Sequence, residues 1–129
     1  MKKVLITGGA GYVGSVLIPE LLHNDCQVRV FDNLMYNSNT MIPYFLNENF
    51  DFIKGDIRDE AAVKKAVEGV DLIIHLAAIV GAPACNRDKR LAEEVNYGGT
   101  VNVDKFRDRA TQGVIYASTG SNYGAVDGI

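Results

Sequence analysis

Short unbroken apolar runs alternate along this chain with longer stretches in which apolar residues recur at helical spacing. Val4-Leu5-Ile6 reads as a first strand, and Val13, Val16, Leu17, Leu21 and Leu22 stripe a helix from about Gly11 to Asn24. Pro19 removes a hydrogen bond inside that helix and predicts a bend or a loosened turn. Gln27 to Phe31 is a second strand, followed by a polar, turn-rich segment from Asn33 to Asn39 and a short helix over Thr40 to Asn47. Phe50 to Lys54 alternates as a third strand, and Asp59 stands where an N-cap opens a helix over Glu60 to Glu68, which Gly69 ends. Leu72 to Ala77 is apolar almost throughout, as a central parallel strand covered on both faces requires. A loop from Ala78 to Cys85 then leads to a long helix over 87–110, with Leu91, Val95, Val101 and Phe106 at apolar positions. Gly98 and Gly99 inside it cost about 1 kcal/mol each relative to alanine, which suggests a close approach to the backbone there. The last strand, Val114 to Ala117, delivers a loop from Ser118 to Gly124.

Strands alternating with helices in this way predict an α/β fold. Its form is a Rossmann-type doubly wound parallel sheet of order 3-2-1-4-5, with right-handed crossovers and a switch point between strands one and four. The 129 residues suffice for one domain with a real core, so 1–129 reads as a single unit that stops after its fifth strand. A net charge of -3 without a Lys/Arg cluster argues against nucleic acid as a partner. The longest apolar tract, Leu72 to Cys85, is broken by His75, Gly81 and Pro83 and falls short of a membrane span. Lys2 and Lys3 precede a run too short for a signal-peptide core, so the expected location is cytoplasmic, with no membrane partner. Cys26 and Cys85 are far apart and lack C-x-x-C spacing, so free thiols are expected and no metal site.

Candidate chemistry concentrates in Thr7-Gly8-Gly9-Ala10-Gly11-Tyr12-Val13-Gly14, between the first strand and the first helix. Gly8, Gly11 and Gly14 have G-x-x-G-x-x-G spacing, which gives a tight bend, close backbone approach to a pyrophosphate and close helix–strand packing. The helix that starts around Tyr12 and Val13 points free N–H groups and its positive end at such an anion. A βα turn that uses glycine only for positive φ is the plainer reading of the same residues. Asp32, at the end of the second strand and 21 residues after Gly11, tips the balance, because a dinucleotide fold places a ribose-binding carboxylate there.

Further motifs follow in order, and with them the chain resembles the extended short-chain dehydrogenase/reductase family, in particular its NAD-dependent epimerases and dehydratases of nucleotide sugars. Thr7 to Gly14 is similar to that family's TGGxGxxG turn, and Phe31-Asp32-Asn33-Leu34 to its ribose-binding strand end. Gly55-Asp56-Ile57-Arg58-Asp59 resembles its GD[IVL]xD segment, His75-Leu76-Ala77-Ala78 its HxAA strand end, and Asn96-Tyr97-Gly98-Gly99-Thr100 its NxxGT segment. The resemblance implies NAD as cofactor, with Asp32 and Asn33 at the adenosine ribose, Asp56 and Ile57 bracketing the adenine, and Ala77 and Ala78 lining the cleft. Asn96 is then a structural or cofactor-side polar group. NAD is favoured over NADP because no arginine follows Asp32 to hold a 2′-phosphate. Thr119, with Ser118 beside it, aligns with the hydroxyl that polarises the substrate oxygen. Gly120-Ser121 stand where dehydratases carry an Asp-Glu pair, which favours the epimerase or reductase branch.

The family's reaction also needs a tyrosine with a lysine four residues on. None of Tyr12, Tyr36, Tyr44, Tyr97, Tyr116 and Tyr123 has one. The chain therefore looks like the front half of an isomerase or oxidoreductase with a nucleotide-sugar substrate, binding the cofactor but inactive alone. The long helix 87–110 offers a surface for a homodimer. An open sheet edge predicts self-association or reduced stability. Two other readings stand beside this one: a non-catalytic dinucleotide-binding or sensing module, and an interaction protein on a degenerate fold. Asp56 reads equally as a turn residue that opens the next helix, Ser118 and Thr119 as turn-forming side chains, and His75 as a satisfied core histidine.

Overall fold

The computed structural model describes residues 1–119. Five strands, β1 (Lys3–Thr7), β2 (Gln27–Asp32), β3 (Phe50–Lys54), β4 (Leu72–His75) and β5 (Gly113–Tyr116), form one parallel sheet in the order β3-β2-β1-β4-β5. The order expected from the sequence is the one observed. Of the loop expected after the last strand, residues 120–124 lie outside the described residues.

The alternation of side chains along the central strands explains both layers. Val4, Ile6, Val28, Val30 and Ile74 face the helix α1 (Tyr12–His23), which packs Ile18, Leu17, Leu21 and Leu22 against them. Leu5, Phe31 and Ile73 face the other side, where Val63, Ala66 and Val67 of α2 (Glu60–Val67) and Val103 meet them. Leu5, Ile6, Ile18, Val30 and Ile73 are fully buried, and each such side chain is worth about 2 kcal/mol in area removed from water. The three central strands are thus the rigid floor from which the loops at their C-terminal ends project. α1 carries Pro19 within its length without ending there. Asp59 caps α2 as expected, its carboxylate accepting from the Ala62 N–H at 3.1 Å.

The short helix expected over 40–47 is instead a single 3-10 turn, Ile42–Tyr44. Pro43 lacks the N–H that a longer helix needs, and Phe45 turns its ring onto Phe50 and Phe52. The long helix expected over 87–110 is also revised. A short helix, α3 (Ala82–Arg87), takes up the second half of the expected loop, and the chain extends at Asp88 (φ -144°, ψ 90°) before α4 (Lys89–Glu93). Asp88 wins as an N-cap over continuing the helix, since its carboxylate accepts the Leu91 N–H at 2.9 Å. α4 passes through a π-helical segment, Glu94–Gly98, into α5 (Gly99–Phe106). α5 stops short of residue 110 because Asp108 gathers the Ala110 N–H (2.8 Å) and the Thr111 hydroxyl (2.9 Å) into a turn.

The expected close approach at the glycine pair holds at one of the two positions. A Cβ on Gly99 would lie 2.7 Å from the Ile57 side chain, whereas one on Gly98 would meet nothing within 4 Å. Gly99 is what lets α5 settle on the segment after β3, and it brings the π-helical segment to the cleft.

Candidate functional site

The site lies where β1 and β4 part and their connections leave in opposite directions. β1 ends in the glycine turn. The Gly8 N–H donates to the Phe31 carbonyl of β2 at 2.8 Å, and Gly8 itself has φ +70°. The Gly11 N–H returns to the Gly8 carbonyl at 3.1 Å, and the first helical bond of α1 runs from the Ser15 N–H to the Gly11 carbonyl at 3.0 Å. The N–H groups of Tyr12, Val13 and Gly14 therefore have no acceptor inside the helix, as in any first turn.

A cleft of about 1020 Å³ opens above this turn. Every site residue singled out in the sequence lines it: Gly8, Gly11, Tyr12, Val13 and Gly14 at its floor, Asp32 and Asn33 at one end, Asp56 and Ile57 beside them, Ala77, Ala78 and Asn96 along one wall, and Ser118 and Thr119 beyond β5. Asp32 and Thr119 stand on opposite sides of the switch point, so the cleft crosses the sheet as an elongated ligand would.

Asp32 is fixed by two backbone amides. Its Oδ2 accepts from the Ala10 N–H at 3.1 Å and its Oδ1 from the Leu34 N–H at 2.7 Å. Leu34 reaches that carboxylate from a left-handed backbone, φ +57°, which costs a branched residue about 1 kcal/mol. Asp56 is engaged differently. Arg58 hydrogen-bonds it through its backbone N–H and its guanidinium, 2.7 Å at the shortest, and also reaches Glu94 at 3.2 Å. The hydrogen bonds from Arg58 hold the Asp56 carboxyl below the usual carboxylate range, against a smaller opposing effect of burial. Asp56 is thus a turn residue and a cleft residue at once. Asn96 serves the backbone of the wall. Its side chain accepts the Ile79 N–H at 2.7 Å and donates to the Ile79 carbonyl at 2.9 Å, pinning the segment that follows Ala77 and Ala78.

His75 completes this wall from below. Thr7 Oγ1 accepts from the Leu76 and Ala77 N–H groups (3.2 and 3.3 Å), so its own proton goes to His75 Nδ1, 2.6 Å away. Thr100 donates to the Asn96 carbonyl at 2.7 Å and lies 3.1 Å from His75 Nε2, which must then carry the imidazole proton. The neutral ring has both nitrogens satisfied and no carboxylate partner among the described residues, and burial pushes its pKa down to about 4. The sequence expectation of a core histidine fits this arrangement. Because the unfolded chain binds the proton near pH 6.5 and the native chain only near 4, stability falls as pH drops through that window, by about 3 kcal/mol. Urea unfolding at pH 7 and pH 4.5 checks this, and His75→Asn should flatten the dependence; an unchanged slope in the variant would assign the loss to other groups.

Sequence reasoning missed Leu34, Met35, Tyr36 and Ser38, which also line the cleft, and Thr40, which supports the glycine turn. Beyond the ribose-binding strand end, the stretch to Asn39 looked turn-rich and Thr40 looked like the start of a short helix, and no periodicity there signals a wall. Among the described residues no cluster of His, Cys, Asp and Glu has the makings of a metal site, and no helix is long and apolar enough to cross a membrane.

The residues fit a dinucleotide. Among the described residues, a Cβ at Gly11 would meet only the Gly8 carbonyl, at 3.2 Å, so they leave its outer surface open for a phosphate above α1. Asp32 keeps lone pairs beyond the two its amides use. Sheet order, glycine turn and switch-point cleft together define a Rossmann-type α/β domain. The chain belongs to the NAD dependent epimerase/dehydratase family, which it matches over residues 4–129. It is 34% identical over 123 residues to a UDP-N-acetyl-alpha-D-glucosaminuronate decarboxylase of Bacillus cytotoxicus, covering 95% of this chain and 38% of that protein. A 3 beta-hydroxysteroid dehydrogenase/Delta 5-->4-isomerase of Mycobacterium tuberculosis is 36% identical over 126 residues, covering 94% of this chain and 32% of that protein. Among solved structures, a dTDP-glucose 4,6-dehydratase of Streptomyces venezuelae with NAD bound matches with TM-score 0.88 at 31% identity, over 98% of this chain and 42% of that one. The chain thus spans about a third to two fifths of the length of these relatives.

Proposed function

We propose that this chain binds NAD in the switch-point cleft and is the cofactor-binding part of an NAD-dependent nucleotide-sugar epimerase or reductase. The observation that carries the reading is the pairing of Asp32 with the glycine turn: its carboxylate lies 3.1 Å from the Ala10 amide, so a ribose acceptor there would stand directly beside the turn that would take the phosphates. Gly11 and the first turn of α1 would take the pyrophosphate, Asp32 and Asn33 the adenosine ribose, and Asp56 and Ile57 the adenine edge. Ala77 and Ala78, held by Thr7 and by Asn96 through Ile79, would pass the nicotinamide half toward Ser118 and Thr119. In the whole protein, NAD⁺ held there would supply the hydride acceptor for oxidation of a substrate carbinol, and the NADH so formed would supply the hydride that reduces the keto group again. Ser118 and Thr119 are proposed to polarise the substrate oxygen. Names as different as a sugar-acid decarboxylase and a steroid dehydrogenase among the relatives fit a shared cofactor half whose substrate is read elsewhere. Pairing of two copies along the helical stretch 89–106 would cover Tyr97 and Val101, which are exposed there.

Calorimetric titration of the 129-residue chain with NAD⁺ and NADP⁺ tests the reading. Saturable NAD⁺ binding, with NADP⁺ at least about tenfold weaker because its 2′-phosphate faces Asp32, is the expected result. Binding of neither dinucleotide, or preference for NADP⁺, would overturn it.

A further inference from the structure

Both peptide groups that meet at Ala10 are held from outside the glycine turn, one by the last residue of β2 and the other by the chain that follows it. The Ala10 N–H donates to Asp32 Oδ2 at 3.1 Å, and the Ala10 carbonyl accepts from the Thr40 hydroxyl at 3.0 Å. Ser38 Oγ lies 2.9 Å from Thr40 Oγ1 and accepts the Thr40 N–H at 3.3 Å. A hydroxyl has one proton, and that of Thr40 is committed to Ala10, so the proton between the two hydroxyls belongs to Ser38. Donation therefore runs from Ser38 to Thr40 to Ala10. Ser38 lines the cleft, whereas Thr40 stands behind it, half-buried.

The Ala10 carbonyl and the Gly11 N–H share one planar peptide. Thr40 holds one edge of that plane, and the Gly8 carbonyl holds the other through the Gly11 N–H at 3.1 Å. Gly11 is exposed and has no Cβ, so little else opposes rotation of this plane. Rotation would shift the backbone that opens α1 and move its free N–H groups. We propose that Thr40 is a positioning residue for the dinucleotide: its hydroxyl holds the Ala10–Gly11 peptide so that the turn is shaped for a pyrophosphate before the ligand arrives. The inference rests on the reading of the cleft as an NAD site. A turn that is competent for only part of the time binds more weakly by that fraction.

Two measurements on the 129-residue chain keep the two ideas separable. Amide hydrogen exchange at Gly11 without ligand reads the hold on the peptide directly. Thr40→Val, which removes the hydroxyl and keeps the shape, should speed it by about tenfold while Leu5 and Ile73 keep their rates, and Thr40→Ser should restore it. In calorimetry, Thr40→Val should weaken NAD⁺ binding by roughly five- to tenfold and Thr40→Ser by less than about twofold. Thr40→Ala supplies the same comparison if valine packs badly. Gly11 exchange that is the same with and without the hydroxyl, or NAD⁺ affinity that is the same, overturns the proposal. A parent chain that binds no NAD⁺ overturns the cofactor reading and with it the dinucleotide role of Thr40.

Discussion

Gly14→Ala is expected to lower stability by at least about 3 kcal/mol, roughly 10 °C in Tm for a domain of this size, and to abolish NAD⁺ binding with it. A Cβ at residue 14 would stand 2.1 Å from the Gly9 carbonyl oxygen and 2.5 Å from its carbon. Both atoms are backbone, so no side chain can swing away. Relief requires the glycine turn to open or α1 to lift from the sheet, and α1 carries Ile18 into the core of its face. Gly11→Ala isolates the ligand part of this effect. Gly11 has φ -81° and ψ -174°, a conformation that any residue adopts, and its Cβ would meet only the Gly8 carbonyl at 3.2 Å. That variant should fold within about 1 kcal/mol of the parent yet bind NAD⁺ at least about tenfold more weakly, because the methyl occupies the side from which a phosphate approaches. Thermal melts paired with titrations check both. A Gly14→Ala chain as stable as the parent would mean that the turn is softer than its contacts imply, and Gly11→Ala with full affinity would move the phosphate elsewhere.

These two glycines were legible as a pair in the sequence, since their spacing is itself the signal; what each one touches was not. The sheet order was equally legible, because the strand runs are separated by stretches long enough for parallel crossovers, even where, as between β2 and β3, only a 3-10 turn forms, and such crossovers leave few topologies. The helices after β4 were not. Asp88 competes as an N-cap within a charged run that reads as one helix, and the π-helical turn at Glu94–Gly98 leaves no trace in hydrophobic spacing. Both matter to the cleft. The π turn carries Asn96, whose amide holds Ile79 across a sequence gap that no local pattern spans. Thr40 and Leu34 were hidden for the same reason: one acts through a carbonyl 30 residues away, the other through a positive φ that leucine does not advertise.

Asp32→Ala should weaken NAD⁺ binding by about a hundredfold, from the loss of two hydrogen bonds between a carboxylate and ribose hydroxyls at roughly 1.5 kcal/mol each. The more telling variant is Asp32→Asn. An ionised carboxylate only accepts, and here each oxygen already accepts one backbone N–H, from Ala10 and from Leu34. An amide in the same place offers one oxygen and one NH₂, so one of those two N–H groups must face another donor. Whichever way the amide turns, the glycine turn or the left-handed Leu34 loses its anchor. A near-isosteric change should therefore cost stability as well as affinity, about 1–2 kcal/mol in unfolding free energy, because a partly buried donor is left without an acceptor. Ligand fragments locate the affinity loss. ADP-ribose, which keeps the adenosine ribose, should lose as much as NAD⁺, whereas nicotinamide mononucleotide should bind the parent and both variants alike. Asp32→Asn that binds NAD⁺ as the parent does would show that the carboxylate serves only Ala10 and Leu34, and that the adenosine ribose lies away from β2.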